Sequence, residues 1–170
     1  MVAPDYFVVR GVSDHQRRSY KIWEEGKGPE LVVEFTSLKS HIKDLGDNRA
    51  IYERLGVLEY FVFDPHAVDF TPPFRGFRLE DGALMPMVPT EQSDGTVVYT
   101  TDVLGLEFHG LGQSLRLMNP DTGETLPIPD ELRKTLRVES ARAEKAEARA
   151  EAAKAELARL REEFGRKPGE

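Results

Sequence analysis

The sequence contains no cysteine, which excludes disulfide bonds and thiolate metal sites and makes an intracellular location the default. It has no apolar run long enough to cross a bilayer, and the N-terminal stretch MVAPDYFVVR lacks a signal-peptide pattern. A glycine-rich phosphate loop, a nucleophile elbow and a dinucleotide fingerprint are also missing. No two of the four histidines have the spacing of a helical metal site. We therefore expect a soluble, cytoplasmic protein without a membrane segment.

The formal net charge of −7 is distributed unevenly along the chain. Residues 131–170 carry eleven basic and nine acidic side chains, a net of +2, which leaves −9 for residues 1–130. This balance argues against broad, non-specific adhesion to nucleic acid, which relies on an excess of Lys and Arg. It does not exclude a nucleic-acid enzyme, because metal-binding acids bias the count and only local charge matters.

Residues 1–130 predict a single α/β domain with a mixed sheet. Three apolar, β-branched runs predict strands: DYFVVRGV, ELVVEFTS and VLEYFVFDP. Between the second and third runs, Asp44 is a candidate N-cap for a helix that ends at Gly56. Strand, helix and strand in this order favour a right-handed crossover, and the turn-rich region after Phe70 predicts antiparallel hairpins. Trp23 is expected to be a local core anchor.

The C-terminal composition shifts to Ala, Glu, Arg and Lys, and we predict a helix over residues 131–165 followed by a disordered tail over 166–170. Alternating spacings of four and three residues define a heptad seam: Leu132, Leu136, Glu139, Ala143, Ala146, Ala150, Ala153, Leu157, Leu160 and Phe164. A solitary solvated helix and a coiled-coil homodimer explain this seam equally well. Because alanine buries little area, any pairing should be weak.

One carboxylate, Glu34, interrupts an otherwise apolar strand, and such burial is disfavoured unless a partner or a metal compensates for the lost water. A second acid, Asp5, stands at the start of the first strand. Magnesium commonly takes one or two carboxylates together with water and substrate oxygens, and it can promote phosphodiester hydrolysis. On spacing alone, two solvated acids at a sheet edge are the simpler interpretation.

Three segments resemble the Uma-type restriction endonucleases of the PD-(D/E)XK superfamily, over roughly residues 2–130: APDYFVV, GPELVVEFTS and DLGDNRAIYERLGVLEYFVFDP. The resemblance implies a restriction-endonuclease-like α+β core, a site at one sheet edge that uses Mg²⁺ or Mn²⁺, and DNA as the substrate. It also implies that Asp5 and Glu34 are catalytic residues that bind the metal.

The sequence departs from the family pattern at the lysine. The superfamily lysine lies two residues after the second acid, where this chain has Thr36, and the Uma-type lysine lies on the following helix, where it has Asn48. A neutral amide cannot supply the charge of an ammonium group. Lys39 and Lys43, between strand and helix, are candidates to substitute, although a solvated loop lysine is the simpler interpretation of each.

Two functions therefore stay open. The first is a metal-dependent endonuclease with Asp5, Glu34, Lys39 and Asn48 in its catalytic site. The second is a catalytically degenerate nuclease fold that acts as an interaction or oligomerisation module. The family fold also has a helix and a strand ahead of the first acid, whereas this sequence begins four residues before Asp5. Three explanations of this difference stay open: the chain is a fragment, another chain completes the sheet, or the gene start is misassigned. We expect the strand after Asp5 to be at a sheet edge.

Overall fold

The computed structural model describes residues 3–36, 48–68 and 71–165. The chain forms two compact units, Met1–Leu126 and Pro127–Glu170. Within the described ranges, no helix is both long enough and apolar enough to cross a membrane.

A five-stranded mixed sheet is the centre of the first unit. Its strands, in spatial and chain order, are β1 (Tyr6–Val8), β2 (Leu31–Phe35), β3 (Glu59–Phe63), β4 (Phe74–Glu80) and β5 (Ala83–Pro86). Strands β2 and β3 are parallel, and every other neighbouring pair is antiparallel. Helix α1 (Ile22–Glu25) lies between β1 and β2 in the chain, and helix α2 (Asn48–Arg54) connects the parallel pair. The mixed sheet predicted from the strand–helix–strand order is confirmed.

A second, fully antiparallel sheet follows in the same unit. It contains β6 (Thr90–Glu91), β7 (Val97–Thr101), β8 (Leu106–Leu111) and β9 (Ser114–Met118). The predicted hairpin at Asp81 and Gly82 joins β4 to β5, and both residues have positive φ, 49° and 84°. Two residues in this conformation make the hairpin turn that matches the twist of antiparallel strands. The region after Phe70 thus extends the first sheet only as far as β5 and then forms a separate sheet.

The core consists of two clusters on opposite faces of the first sheet. Strand residues alternate between faces, so Leu31 and Val33 belong to one cluster and Val32 to the other. The first cluster also contains Phe61 and Phe63 of β3 and Phe74 of β4, together with residues of the second sheet and of the turn between β7 and β8: Tyr99, Val103 and Phe108. The second cluster contains Tyr52 of α2 with Val57, Tyr60, Val62, Phe77 and Leu84. Strands β2 and β3 are thus buried on both faces, which explains their nearly continuous apolar sequence.

The expectation that Trp23 anchors a local core is wrong, because 77% of its surface is exposed. Helix α1 has only four residues and ends at Gly26, which adopts a left-handed conformation. Neighbouring helical residues point about 100° apart. The half-buried Ile22 faces inward, and the adjacent tryptophan consequently faces solvent.

The described residues of the second unit form one helix, α3 (Pro129–Gly165), of 37 residues. This confirms the long C-terminal helix. Asp130 and Glu131 lie in its first turn, where negative charge is favourable, and Glu131 Oε2 accepts a hydrogen bond from the Ile128 N–H at 3.1 Å. All side chains from Pro129 to Arg161 are exposed. The tail predicted at 166–170 lies outside the described residues.

Gly76 of β4 provides a test of the packing between the two sheets. A Cβ atom at this position would lie 2.9 Å from Phe61 Cε1 and 3.0 Å from Tyr99 Cδ1. We expect Gly76→Ala to lower the free energy of unfolding by about 1–3 kcal/mol, because both rings are held in a close-packed core. Urea denaturation would measure the change.

The matched control is Gly28→Ala, whose added Cβ would meet its nearest atom, the Leu55 carbonyl oxygen, at 3.6 Å. We expect this control to change stability by less than about 0.5 kcal/mol. Equal stabilities of the two variants would contradict the close packing.

Candidate active site

The pairing of β1 with β2 brings together the two acids that the sequence singled out. Tyr6 is paired with Val33 in the antiparallel register, so the preceding residue, Asp5, lies beside Glu34. The Asp5 N–H donates to Glu34 Oε2 at 3.3 Å, and the Phe35 N–H donates to Asp5 Oδ2 at 2.8 Å. Each carboxylate therefore accepts a hydrogen bond from the backbone of the other strand, and the two acids are neighbours.

The two carboxylates have different surroundings. Glu34 is only 6% exposed, whereas Asp5 is an exposed residue. A buried carboxylate is costly unless hydrogen bonds replace the water that it loses. Glu34 is therefore held in place by the protein, while Asp5 is open to solvent and to a ligand approaching from it.

Helix α2 supplies a second donor to Glu34. The Tyr52 hydroxyl donates to Glu34 Oε1 at 2.5 Å, and Tyr52 itself is only 1% exposed. Its ring packs against Tyr60, with ring centroids 5.0 Å apart. Tyr52 is therefore a buried packing residue that also contacts Glu34, a contact that the sequence analysis did not predict. The sequence did contain a signal for this contact: an acid inside an apolar strand, followed by a helix with a tyrosine on its inner face.

Thr36 occupies the position at which the superfamily pattern has a lysine. Its N–H donates to the Phe63 carbonyl oxygen at 2.9 Å, which continues the pairing of β2 with β3. Because strand residues alternate, Thr36 is on the same face as Glu34. It is 3% exposed, and in the part of the chain that the structure describes its hydroxyl oxygen has no hydrogen-bond partner. A buried polar atom of this kind is a place where a polar ligand would compensate for lost hydration.

Asn48, at the position of the Uma-type lysine, is the first residue of α2. It lies four residues before Tyr52, so the two share one face of the helix. The neighbouring Arg49 points elsewhere: its guanidinium carbon lies 4.7 Å from the centre of the Phe77 ring, and it donates to the Leu84 carbonyl oxygen. Arg49 therefore does not replace the missing charge. Lys39 and Lys43 lie outside the described residues, so a role for Lys39 remains a prediction.

The protein oxygens near this edge suit a hard cation. Asp5, Glu34 and Thr36 offer only oxygen atoms, which Mg²⁺ and Mn²⁺ accept as ligands. Among the described residues, no group of three or more His, Cys, Asp or Glu side chains is arranged to hold a metal ion. Magnesium commonly uses only one or two carboxylates and completes its coordination with water and phosphate oxygens. A pair of acids is therefore compatible in number with the protein ligands that magnesium uses.

A second buried acid, Glu59, lies at the other end of the parallel pair and on the opposite face of the sheet. It accepts hydrogen bonds from Arg78 at 3.0 Å, from the Asp102 N–H at 2.9 Å and from the Thr101 hydroxyl at 2.5 Å. Glu59, Arg78 and Asp102 also line a pocket of about 220 Å³. Because its partners come from the second sheet as well as from β4, Glu59 ties the two sheets together. Its contacts indicate a structural role.

Replacing Tyr52 with phenylalanine tests the buried contact to Glu34. The substitution keeps the ring in the core but removes the donor to Glu34 Oε1. We expect the free energy of unfolding to fall by about 1–3 kcal/mol, because a buried acceptor loses a hydrogen bond. Chemical denaturation of both proteins would measure the difference.

Tyr20→Phe serves as the control, because the Tyr20 hydroxyl donates to the Lys27 carbonyl oxygen at an exposed position, 2.8 Å away. We expect a change below about 0.5 kcal/mol there. A Tyr52→Phe protein no less stable than this control would show that the buried hydrogen bond contributes little.

Comparison with known proteins identifies a family whose model matches most of the chain. Residues 1–109 match the family described as Uma2: Putative restriction endonuclease, and this range contains β1 to β3, α2 and both acids. No curated protein and no solved structure matches the chain. The family match covers well over half of the 170 residues, and the mixed sheet with its acid pair is consistent with the PD-(D/E)XK nuclease superfamily. The chain belongs to the Uma2 family of restriction-endonuclease-like proteins.

Proposed function

We propose that this protein is a metal-dependent endonuclease that hydrolyses phosphodiester bonds of DNA, with Asp5 and Glu34 as the ligands of Mg²⁺ or Mn²⁺. The observation that carries the proposal is the adjacency of these two acids across β1 and β2, with hydrogen bonds running in both directions. Membership of the Uma2 family supports a nuclease activity. The donor set of oxygen atoms supports the choice of metal.

The residues around Glu34 would prepare it for binding. Tyr52 and the Asp5 backbone fix the orientation of the Glu34 carboxylate before any ligand arrives. Metal binding would therefore cost little side-chain conformational entropy at Glu34. Asp5, being exposed, is the acid that an incoming phosphate group would meet. When bound at this pair, a divalent metal supplies charge that stabilises the phosphate and lowers the pKa of a water.

In the proposed enzyme, other groups would supply the positive charge and the hydrogen bonds of the family lysine. The Asn48 amide can orient a water or a phosphate oxygen by hydrogen bonding, but it brings no charge. Lys39 lies only five residues after Glu34 in the chain and is our candidate for the missing ammonium group. A long, flexible lysine side chain acts as a mobile point charge that does not need a fixed geometry in advance.

Cleavage of DNA by the full chain in Mg²⁺ or Mn²⁺, compared with EDTA, tests the proposal. Glu34→Gln keeps the size of the side chain and removes its charge. We expect it to lower the cleavage rate by about 100-fold or more, since even residues that only orient metal ligands are worth 10–100-fold. Gel analysis of supercoiled plasmid would follow the nicking.

The control for this test is Glu91→Gln, which makes the same chemical change at an exposed position of β6. Its rate should equal that of the unmodified protein. If Glu34→Gln cleaves as fast as this control, the site is somewhere else.

The second candidate function is a degenerate nuclease fold that serves as an interaction or oligomerisation module. Two observations favour it: Thr36 and Asn48 put neutral side chains at both positions where the superfamily and Uma-type patterns place a lysine. In this alternative, helix α3 mediates association into a homodimer, and the acid pair is an inherited feature without activity.

Restoring the charge with Asn48→Lys distinguishes the two functions. A lysine one turn before Tyr52 adds an ammonium group on the helix face that contacts Glu34. For an enzyme weakened by the amide, we expect cleavage to rise by about tenfold or more, because one group that stabilises transition-state charge is commonly worth at least that much. Initial rates with equal concentrations of protein and DNA would measure it.

Ala50→Lys is the matched control, since it adds the same charge at an exposed position of the same helix. A gain with both variants would indicate only better attraction of DNA. If neither the unmodified protein nor Asn48→Lys cleaves, and the chain self-associates, the module function is favoured.

A further inference from the structure

The heptad seam of α3 is unpartnered within the unit it forms. Two of its leucines, Leu157 and Leu160, are 55% and 42% exposed. The seam has leucines near its two ends and four alanines in its middle: Ala143, Ala146, Ala150 and Ala153. A repeat of apolar residues every 3.5 positions is typical of helices that pair with another helix. The composition of the seam limits how that second helix can be placed.

A parallel pair of α3 helices in register would pack poorly. Each seam residue would then face its own counterpart, so alanine would meet alanine through the middle, while Leu157 would meet Leu157. Close packing cannot be kept in adjacent layers of such different width. The same arrangement places Glu139 against Glu139, where two carboxylates repel inside the seam.

An antiparallel pair with a stagger of one heptad solves the packing problem. If Ala150 faces Ala153 of the second copy, then Ala146 faces Leu157, and Ala143 faces Leu160. Leu157 and Leu160 are each opposite an alanine, so the layers next to the centre have similar widths, and Glu139 faces Phe164 instead of a second carboxylate. Leu132 and Leu136 lie outside these layers. Alternating large and small residues across facing positions is how helix pairs reach native packing density.

The charges beside the seam favour the same arrangement. In the staggered antiparallel pair, Arg149 faces Glu156 of the second copy, and Glu147 faces Lys154. Twofold symmetry makes each contact occur twice, so four attractive pairs form. Lys154 forms an ion pair with Glu151 of its own helix at 2.9 Å, and both side chains are more than 70% exposed. Exchanging this pair for one with Glu147 of the second copy therefore costs little free energy.

The other arrangements bring like charges together. The parallel pair places Arg149 against Lys154, and the antiparallel pair without the stagger places Arg149 against Arg149 and Glu147 against Glu147. Like charges at these flanking positions select against wrong partners and wrong registers. The parallel pair also keeps attractive contacts, such as Arg142 with Glu147, but in the staggered antiparallel pair none of the flanking contacts between residues 140 and 163 is repulsive. Side-chain volume and charge, two independent properties of the sequence, therefore both favour this geometry.

We infer that α3 binds α3 of a second copy of this chain as a staggered antiparallel pair, centred between Ala150 and Ala153. The occupant of the exposed seam is thus the same chain, because its own residues supply both the complementary volumes and the complementary charges. Alanine-rich layers bury little apolar area, so the association is weak and reversible. The inference does not depend on whether the first unit cleaves DNA.

Charge reversal in the full chain gives opposite results for the competing geometries. Arg149→Glu converts two attractive contacts of the staggered antiparallel pair into repulsive ones, and we expect the dimer dissociation constant to rise about tenfold. In a parallel pair the same change would replace repulsion from Lys154 by attraction, and association would tighten. Sedimentation equilibrium would measure both, and the double substitution Arg149→Glu with Glu156→Arg should restore the original affinity.

Disulfide trapping tests the register directly, because the chain has no cysteine of its own. We expect Ala146→Cys and Leu157→Cys proteins to crosslink when mixed, and neither to crosslink with itself. In the inferred pair, each residue is eleven positions from its own counterpart, about 16 Å along the axis, which is beyond the reach of a disulfide. Crosslinking of either variant alone, or none in the mixture, would overturn the inference.

Discussion

The hydrogen bond from Tyr52 to Glu34 is the constraint on which the candidate site depends. It links the buried carboxylate of β2 to helix α2, and therefore links the two elements on which the superfamily pattern distributes its catalytic groups. Without donors, a carboxylate 6% exposed would be too costly to bury in its charged form. The chain thus keeps an acid in an apolar strand by building the helix that supplies its partner.

The local pattern of the sequence predicted the elements that carry the site. The strand runs, the connecting helix and the juxtaposition of Asp5 with Glu34 follow from alternation and from the family resemblance. The Tyr52 contact could not be predicted in the same way, since it depends on how far the helix lies from the sheet. Trp23 was misjudged because apolar character alone does not fix a side chain's direction in a one-turn helix. The second sheet was also not foreseen, since strand pairing partners are set by non-local packing.

The structure shows which side chains stand at the two positions where the family patterns have a lysine. A buried threonine replaces the ammonium group at the strand position, and its hydroxyl lacks a hydrogen-bond partner among the described residues. The helix position carries an amide on the face that contacts Glu34. The site has therefore kept the acids and changed the charge that usually balances them. In the proposed endonuclease, the described part of the site is more negative than the family pattern implies, so binding of a phosphate there would depend more on the metal.

The length of α3 sets the distance between the first residues of the two helices in the inferred dimer. In the staggered antiparallel pair, Pro129 of each copy lies about 22 residues from the centre, so the two starting points are about 70 Å apart along the axis. Each copy's preceding chain would leave the pair at an opposite end. On straight B-form DNA that span corresponds to about 20 base pairs. A dimer of this kind would therefore act as a spacer between the two points at which the preceding chain enters α3.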